Sequence, residues 1–305
     1  MNNNPGLKNI LKHIQDEILL EIDRIGIHCR VHSRIKEVDS LNEKIERKGS
    51  GYYSKEGKKV QDICGFRITT YFIEDVKLLW DIFERKYEKV DESNDTITQE
   101  NLAVFQPVHK NLICRMNKFD SETLEELKSI TGNEIFSLID NTFEIQFRTT
   151  LSEGWHEIDH VLRYKCKSDW EEFIEESRML NGIYATLETS DKALKSLFSD
   201  LSYQHYKKRN WEAMLRTKFR IKFSKEPLDR EICDIFDNTT ELAKQIFRID
   251  REELIEQIAL SKLHIPLSFN NIVYLLNYLK LQNQELETLQ PQHIRSDFEL
   301  YLNQE

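Results

Sequence analysis

The chain has 305 residues, 39% of them hydrophobic, enough for one large domain or two ordinary ones with a real core. A formal charge of −10 argues against indiscriminate binding to nucleic acid, which needs cationic surface, while leaving a local basic patch open. No run of about 18 apolar residues occurs and the first residues lack the charged, apolar and small-residue order of a leader, so the expected location is the cytoplasm, with no membrane partner.

From the N-terminus, Leu7, Ile10, Leu11, Ile14, Ile18, Leu19, Ile22 and Ile25 recur at helical steps and predict an amphipathic helix over 6–27, closed by Gly26. CRVHSRIK (29–36) alternates like a strand. Asp39 or Ser40 then caps a helix to about Lys48, and GSGYYSKEG (49–57) reads as a loop. Beyond it the spacing predicts strand 65–73, helix 74–87, irregular chain 91–107, strand 108–116, helix 121–139, strand 142–148 and helix 150–165. After about residue 169 the pattern is helical throughout. The expected fold class is therefore α+β, a mixed sheet flanked by helices (residues 1–205) followed by an all-helical C-terminal extension (206–305). Cys29, Cys64, Cys114, Cys166 and Cys233 are odd in number, and none forms a C-x-x-C pair; reduced, mostly buried thiols are expected.

Five stretches carry residues suited to chemistry. In SRIKEVDSLNEKIERKG (33–49), Arg34 and Lys36 share one strand face, while Ser40, Lys44 and Arg47 or Lys48 recur at helical steps, a cation cluster suited to a polyphosphate. The alternative is a solvated face laced with Glu37, Glu43 and Glu46. Asp62, ahead of one strand, and Glu144, within another, are oxygen ligands of the kind that hold Mg²⁺ during phosphoryl transfer; singly, each reads as a turn residue or a solvent-facing strand residue. VFQPVHKN (104–111) offers Phe105 for stacking on a purine and His109 or Lys110 for phosphate, or else core and structural roles. In WHEIDHVLRYK (155–165) the letters HEIDH satisfy H-E-x-x-H, which proposes a zinc hydrolase with Glu157 as base. No third ligand is apparent, and the match is read as coincidence.

Taken in order, these stretches resemble the synthetase domain of the RelA/SpoT family, the enzymes that make (p)ppGpp. RIKEVDSLNEKIERK is similar to that family's R-V-K-S-x-x-S-I-x-E-K-x-x-R-K, DICGFRI to D-I-x-G-x-R-I, FQPVH to Y-x-S-L-H, EIQFRT to E-I-Q-I-R-T, and WHEIDHVLRYK to W-x-x-L-E-H-x-L-x-Y-K. The resemblance spans roughly residues 30–167. It implies a nucleotidyltransferase-like fold in which Arg34, Lys36, Ser40, Lys44 and Lys48 hold ATP. Asp62 would ligate Mg²⁺, and Glu144 would complete the metal site or take the proton of the acceptor's 3′-hydroxyl. Arg67, Phe105, His109, Lys110, Gln146 and Arg148 would bind a guanine-nucleotide acceptor. Phe105 stands for the family's Tyr, Pro107 and Val108 for its Ser and Leu, and Asp159 for its Glu, departures that bear on acceptor identity more than on reaction type. The family's metal-dependent hydrolase domain is not seen upstream, so alarmone degradation is not expected.

Some members of the family instead pyrophosphorylate the 3′ end of tRNA, and YKKRNWEAMLRTKFRIKFSK (206–225), with eight Lys and Arg against Glu212, is the stretch that would grip RNA. Its alternative reading is a basic helix face paired with acids elsewhere in the chain. A nucleotide-binding module without turnover is a third reading, and assembly into a homo-oligomer stays open.

Overall fold

The computed structural model describes residues 4–49, 51–54, 56–90, 110–131, 134–261 and 263–302. Close packing divides the chain into two compact units, Met1–Leu19 with Cys29–Asp191, and Leu20–His28 with Lys192–Glu305. Sequence alone suggested a single division at 205/206. Residues 20–28 join the second unit because Ile27 bridges Ile221 and the Lys222 N–H donates to the Gly26 carbonyl at 2.7 Å. Gly26 ends helix α1 (Pro5–Ile25) with a φ of +72°, a left-handed turn that only glycine adopts without strain.

The first unit is built on a four-stranded sheet in the order β1-β2-β4-β3: β1 Cys29–Ile35, β2 Cys64–Thr70, β3 Lys110–Arg115 and β4 Thr142–Thr149. β1 and β3 run antiparallel to their neighbours, whereas β2 and β4 are parallel. Helix α2 (Val38–Lys48) follows β1, and α3 (Ile73–Lys86) follows β2. Helices α4 (Lys118–Thr131) and α5 (Glu134–Ser137) lead into β4, and α6 (Thr150–Ile158) leaves it. The mixed sheet and flanking helices are those expected from the interleaved periodicities, with α4 starting three residues ahead of the predicted 121–139 helix.

Alternation along each strand divides the sheet into two unlike faces. Phe66 and Ile68 of β2, Phe143, Ile145 and Phe147 of β4, and Leu112 and Cys114 of β3 are all at most 1% exposed and lie on the side packed by α3. Burying such side chains contributes about 1.5–3 kcal/mol each, so this face fixes the register. The other parity places Arg34, Gly65 and Glu144 in one cross-strand row, and His32, Arg67 and Gln146 in the next. Arg148 follows, paired with Thr69. The polar face therefore gathers residues that stand more than a hundred positions apart in sequence.

After α6 the helix widens into a π turn (Asp159–Tyr164) and then a 3₁₀ turn (Lys167–Trp170) before α7 (Ile174–Lys207). The second unit is helical: α8 Trp211–Phe219, α9 Arg230–Asn238, α10 Thr240–Arg248, α11 Arg251–Leu260, α12 Phe269–Leu276, α13 Gln284–Leu289 and α14 Gln292–Tyr301. Trp211, Met214, Phe219, Phe236, Ile246, Ile255 and Phe269 form part of its core. Cations of the basic stretch have partners inside this unit. Arg216 pairs with Glu212 and covers Phe269, Lys218 lies over Phe247, Arg209 faces Asp237 at 3.7 Å, and Lys222 meets Asp23 at 3.0 Å. Arg220, at a left-handed helix end, is 9% exposed. Among the described residues no helix is long and apolar enough to cross a membrane.

Candidate active site

Asp62 is held from both sides before β2 begins. The Val60 N–H donates to Leu138 O and the Asp140 N–H to Val60 O, each at 2.8 Å, and Thr142 Oγ1 donates to Gln61 O at 3.0 Å. On the other side the Lys36 N–H donates to Ile63 O at 2.9 Å, extending the β1–β2 pairing by one step and bringing the Lys36 side chain to Asp62. The Lys36 ammonium donates to Asp62 Oδ2, and Lys44 reaches the same oxygen at 2.9 Å from α2. Burial alone would raise the Asp62 carboxyl, but the two ammoniums hold it below the usual carboxylate range. Burial pulls Lys36 down. At Lys44 burial acts the same way, but the attraction of Asp62 overcomes it and raises the ammonium.

Glu144 shares a cleft of about 320 Å³ with Asp62, lined also by Arg34, Lys36, Arg67 and Gln146. Burial, and then the charge of Asp62, push the Glu144 carboxyl upward; the Gln146 amide, donating to Oε2 at 2.9 Å, opposes them. Hence one carboxylate is kept anionic by lysines while the second is made a better proton acceptor, two environments on one sheet face. As donors for a hard cation the pair fits Mg²⁺: both are oxygen ligands, and Asp62 Oδ1 is buried with no hydrogen-bond partner among the described residues. Among those residues no group of three or more His, Cys, Asp or Glu forms a protein-only metal site. Such an ion would take its remaining ligands from phosphate and water.

A larger cavity, about 780 Å³, adjoins through Arg34, Lys36 and Asp62 and is lined from α2 by Ser40, Glu43, Lys44 and Arg47, with Glu37 just ahead of the helix. The helical steps explain the set. Leu41 is buried in a small core with Tyr53 and Val60, against which Ile45 packs, so positions 40, 44 and 47 turn together toward the cavity. Lys48 is rotated away from that stripe. Its ammonium sits 5.4 Å over Tyr52 and it lines neither cavity, so Arg47 takes the place assigned to Lys48. The far wall comes from the π turn, where His160 stacks on Tyr164 and Arg47 donates to the Tyr164 hydroxyl at 3.2 Å, with Lys165 beyond. These residues were missed as site members, although the Y-K of the helix motif marked them.

Farther along the polar sheet face, Arg67 donates through Nε to Gln146 Oε1 at 3.3 Å and through Nη1 to Glu153 and Glu157, while Arg148 meets Glu153 at 3.1 Å. His32, which lines both cavities, was also overlooked; its strand parity with Arg34 was the available signal. Lys110 is a correction. It pairs with Phe147 in the register, shares the parity of buried Leu112 and Cys114, and lies 5.8 Å over Trp80 on the apolar side of the sheet. Phe105 and His109 lie outside the described residues. The H-E-x-x-H letters make no metal pair: His156 is buried against Trp155 and Tyr184, while His160 faces the larger cavity. Trp155 donates to Leu180 O at 2.7 Å, and Arg163 bonds Asp159 and Asn181, so the motif fastens α6 to α7.

A family model described as "Region found in RelA / SpoT proteins" matches residues 33–169. Over 160 residues the chain is 30% identical to GTP pyrophosphokinase YjbM of Bacillus subtilis (strain 168), an alignment covering 52% of this chain and 67% of that protein. The chain belongs to the RelA/SpoT family. A second family member, GTP pyrophosphokinase YwaC of the same organism, is 27% identical over 139 residues, 45% of this chain and 59% of that one. Among solved structures, small alarmone synthetase 1 from Bacillus subtilis aligns with 62% of this chain and 92% of its own at a TM-score of 0.43 and 20% identity. A GTP pyrophosphokinase family protein from Streptococcus pneumoniae aligns over 63% and 89%, with a TM-score of 0.45 and 22% identity. Family membership sets the kind of reaction as that of the GTP pyrophosphokinases, the alarmone synthetases.

Proposed function

We propose that the chain transfers the β,γ-pyrophosphate of ATP to the 3′-hydroxyl of GDP or GTP, giving (p)ppGpp and AMP. The observation that carries this reading is the single cleft in which Asp62 and Glu144 face one another's charge beside Arg34 and Lys36, opening onto the larger cavity where Lys44, Arg47 and Lys165 outnumber Glu37 and Glu43. The family names of both curated relatives agree with it.

In this reading Arg34, Lys36, Ser40, Lys44 and Arg47 hold the triphosphate of ATP. Arg67, Gln146 and Arg148 hold the acceptor. Asp62 and Glu144 would hold Mg²⁺, which supplies charge neutralisation on the phosphates. Lys36 and Lys44, which neutralise Asp62 in the free protein, turn toward phosphate oxygens when nucleotide arrives. Glu144 accepts the proton as the acceptor's 3′-oxygen bonds to the β-phosphorus; the bond from that phosphorus to the α,β-bridging oxygen breaks, and AMP departs with the electron pair. Most of the acceleration comes from alignment and from fixed charges around the transferring group.

The test is one acceptor screen with labelled ATP and, side by side, GDP, GTP, adenine nucleotides and deacylated tRNA. Guanosine tetra- or pentaphosphate is expected. Label confined to tRNA would transfer the assignment to the RNA-modifying alternative, and no transfer to any acceptor would leave a nucleotide-binding module. In the basic stretch that the RNA alternative would use, Arg216, Lys218 and Lys222 have partners within the second unit, while Lys207, Lys208 and Lys225 are exposed.

A further inference from the structure

Arg67 and Arg148 stand at the acceptor end of the polar sheet face with two carboxylates from α6 between them. The two carboxylates are not equivalent. Glu153, 20% exposed, bridges both guanidiniums: it accepts from Arg67 through Oε1 and from Arg148 through Oε2. Glu157, one helical turn later and 52% exposed, reaches Arg67 and borders the cleft. It duplicates at Arg67 Nη1 a contact that Glu153 already makes. As a structural tie Glu157 is therefore redundant. As a charge it is not, because among the charged side chains bordering the cleft Arg34, Lys36 and Arg67 are balanced by Asp62, Glu144 and Glu157.

From this we propose that Glu157 is a specificity-determining latch: its carboxylate occupies Arg67 in the free protein, and an acceptor's 5′-phosphate must displace it to reach the guanidinium. The proposal rests on the acceptor assignment above and adds that affinity grows with acceptor phosphate charge more weakly than Arg67 alone would give. A phosphate is well matched to the guanidinium fork and is the stronger partner once seated. Glu157 sits at the last turn of α6, next to the π turn that begins at Asp159, so it can swing into solvent while Glu153 keeps both arginines in place. The charge state fits the same exchange: burial alone would raise the Glu157 carboxyl, but hydrogen bonding from Arg67, with the charges of Arg67, Arg148 and Arg34, holds it below its usual range.

The latch is tested by calorimetric titration of the full chain and of Glu157→Gln with guanosine, GDP, GTP and inorganic pyrophosphate. Because a half-exposed ion pair is worth little, Glu157→Gln should tighten GDP and GTP by about two- to fivefold, with guanosine unchanged. The gain should shrink at about 0.5 M salt, where the screening length falls to a few ångströms. In an Arg67→Gln background the same substitution should have no effect on any of the four probes. In turnover the change should fall on the acceptor KM and leave kcat within about twofold. Equal tightening of guanosine, weaker binding of GDP, or a gain that survives Arg67→Gln would overturn the latch. If the acceptor assignment itself is wrong, the wild-type chain forms no guanosine product, whereas pyrophosphate binding still reads the latch: a tightening lost with Arg67 sustains it, and its absence refutes it.

Discussion

Replacing Asp62 with asparagine separates two roles that one carboxylate holds at once. Lys36 and Lys44 are 18% and 23% exposed, and both ammoniums converge on Asp62 Oδ2. The neutral amide of Asp62→Asn would leave two like charges side by side with no anion between them. Breaking a fully buried pair by removing one partner costs about 3–5 kcal/mol; with roughly a fifth of each lysine still in water, about 1–3 kcal/mol is a fair expectation. For a unit of this size that lowers the melting temperature by about 3–10 °C. Lys44→Met provides the contrast. It leaves the Lys36–Asp62 pair intact and removes the repulsion between the lysines, so its cost should be smaller than that of Asp62→Asn. Differential scanning calorimetry at neutral pH and low salt measures both, with pyrophosphoryl transfer assayed on the same samples; both variants should lose transfer. Unfolding of Asp62→Asn at or above the wild-type temperature would refute the argument that Asp62 compensates the two lysines.

Glu144→Gln, which keeps the shape and removes the proton acceptor, should lower kcat by about 10²–10⁴-fold with little change in melting temperature, read by steady-state kinetics and calorimetry. Chelation with EDTA should abolish transfer and be reversed by Mg²⁺, with the unfolding profile unmoved. Arg47→Ala should raise the KM for ATP severalfold, and Lys48→Ala should leave it within about twofold, because only Arg47 lines the cavity. On α1, His13 Nδ1 meets Asp120 Oδ2 at 2.9 Å, and the hydrogen bond to that carboxylate raises the imidazole above its usual value against burial. A raised folded pKa stabilises fully below the unfolded value of about 6.5 and is lost as pH rises through the folded one. Partial exposure limits the effect to about 0.5 kcal/mol. Melting temperature should therefore decline slightly between pH 6 and 8.5 in the wild type, and less so in His13→Gln.

Period-2 and period-3.6 patterns were enough to locate every described strand and the helices between them, because alternation and helical stripes are written locally. Of the residues the motifs singled out, Arg34, Arg67, Glu144, Gln146 and Arg148 share one sheet face, with Lys36 and Asp62 just beyond the strand ends and Lys44 reaching in from α2. The misplacements were matters of rotation and parity. Lys48 and Arg47 are adjacent letters, yet about 100° of helix separates a side chain over Tyr52 from one lining a cavity. Lys110 is separated from the site by a single strand step, which sends it to the face of Trp80.

By itself, then, the sequence determined which residue types this chain has available and the regular elements that present them, since propensity and hydrophobic period act between near neighbours. Only the tertiary structure decided that Lys36 and Lys44 would meet at Asp62, that Glu157 would close over Arg67, and that Lys218 and Arg220 of the basic stretch would turn toward the second unit's interior. Those outcomes depend on strand register and on the packing of distant segments, and a charge's partner far along the chain is set by where the buried faces force the backbone to lie.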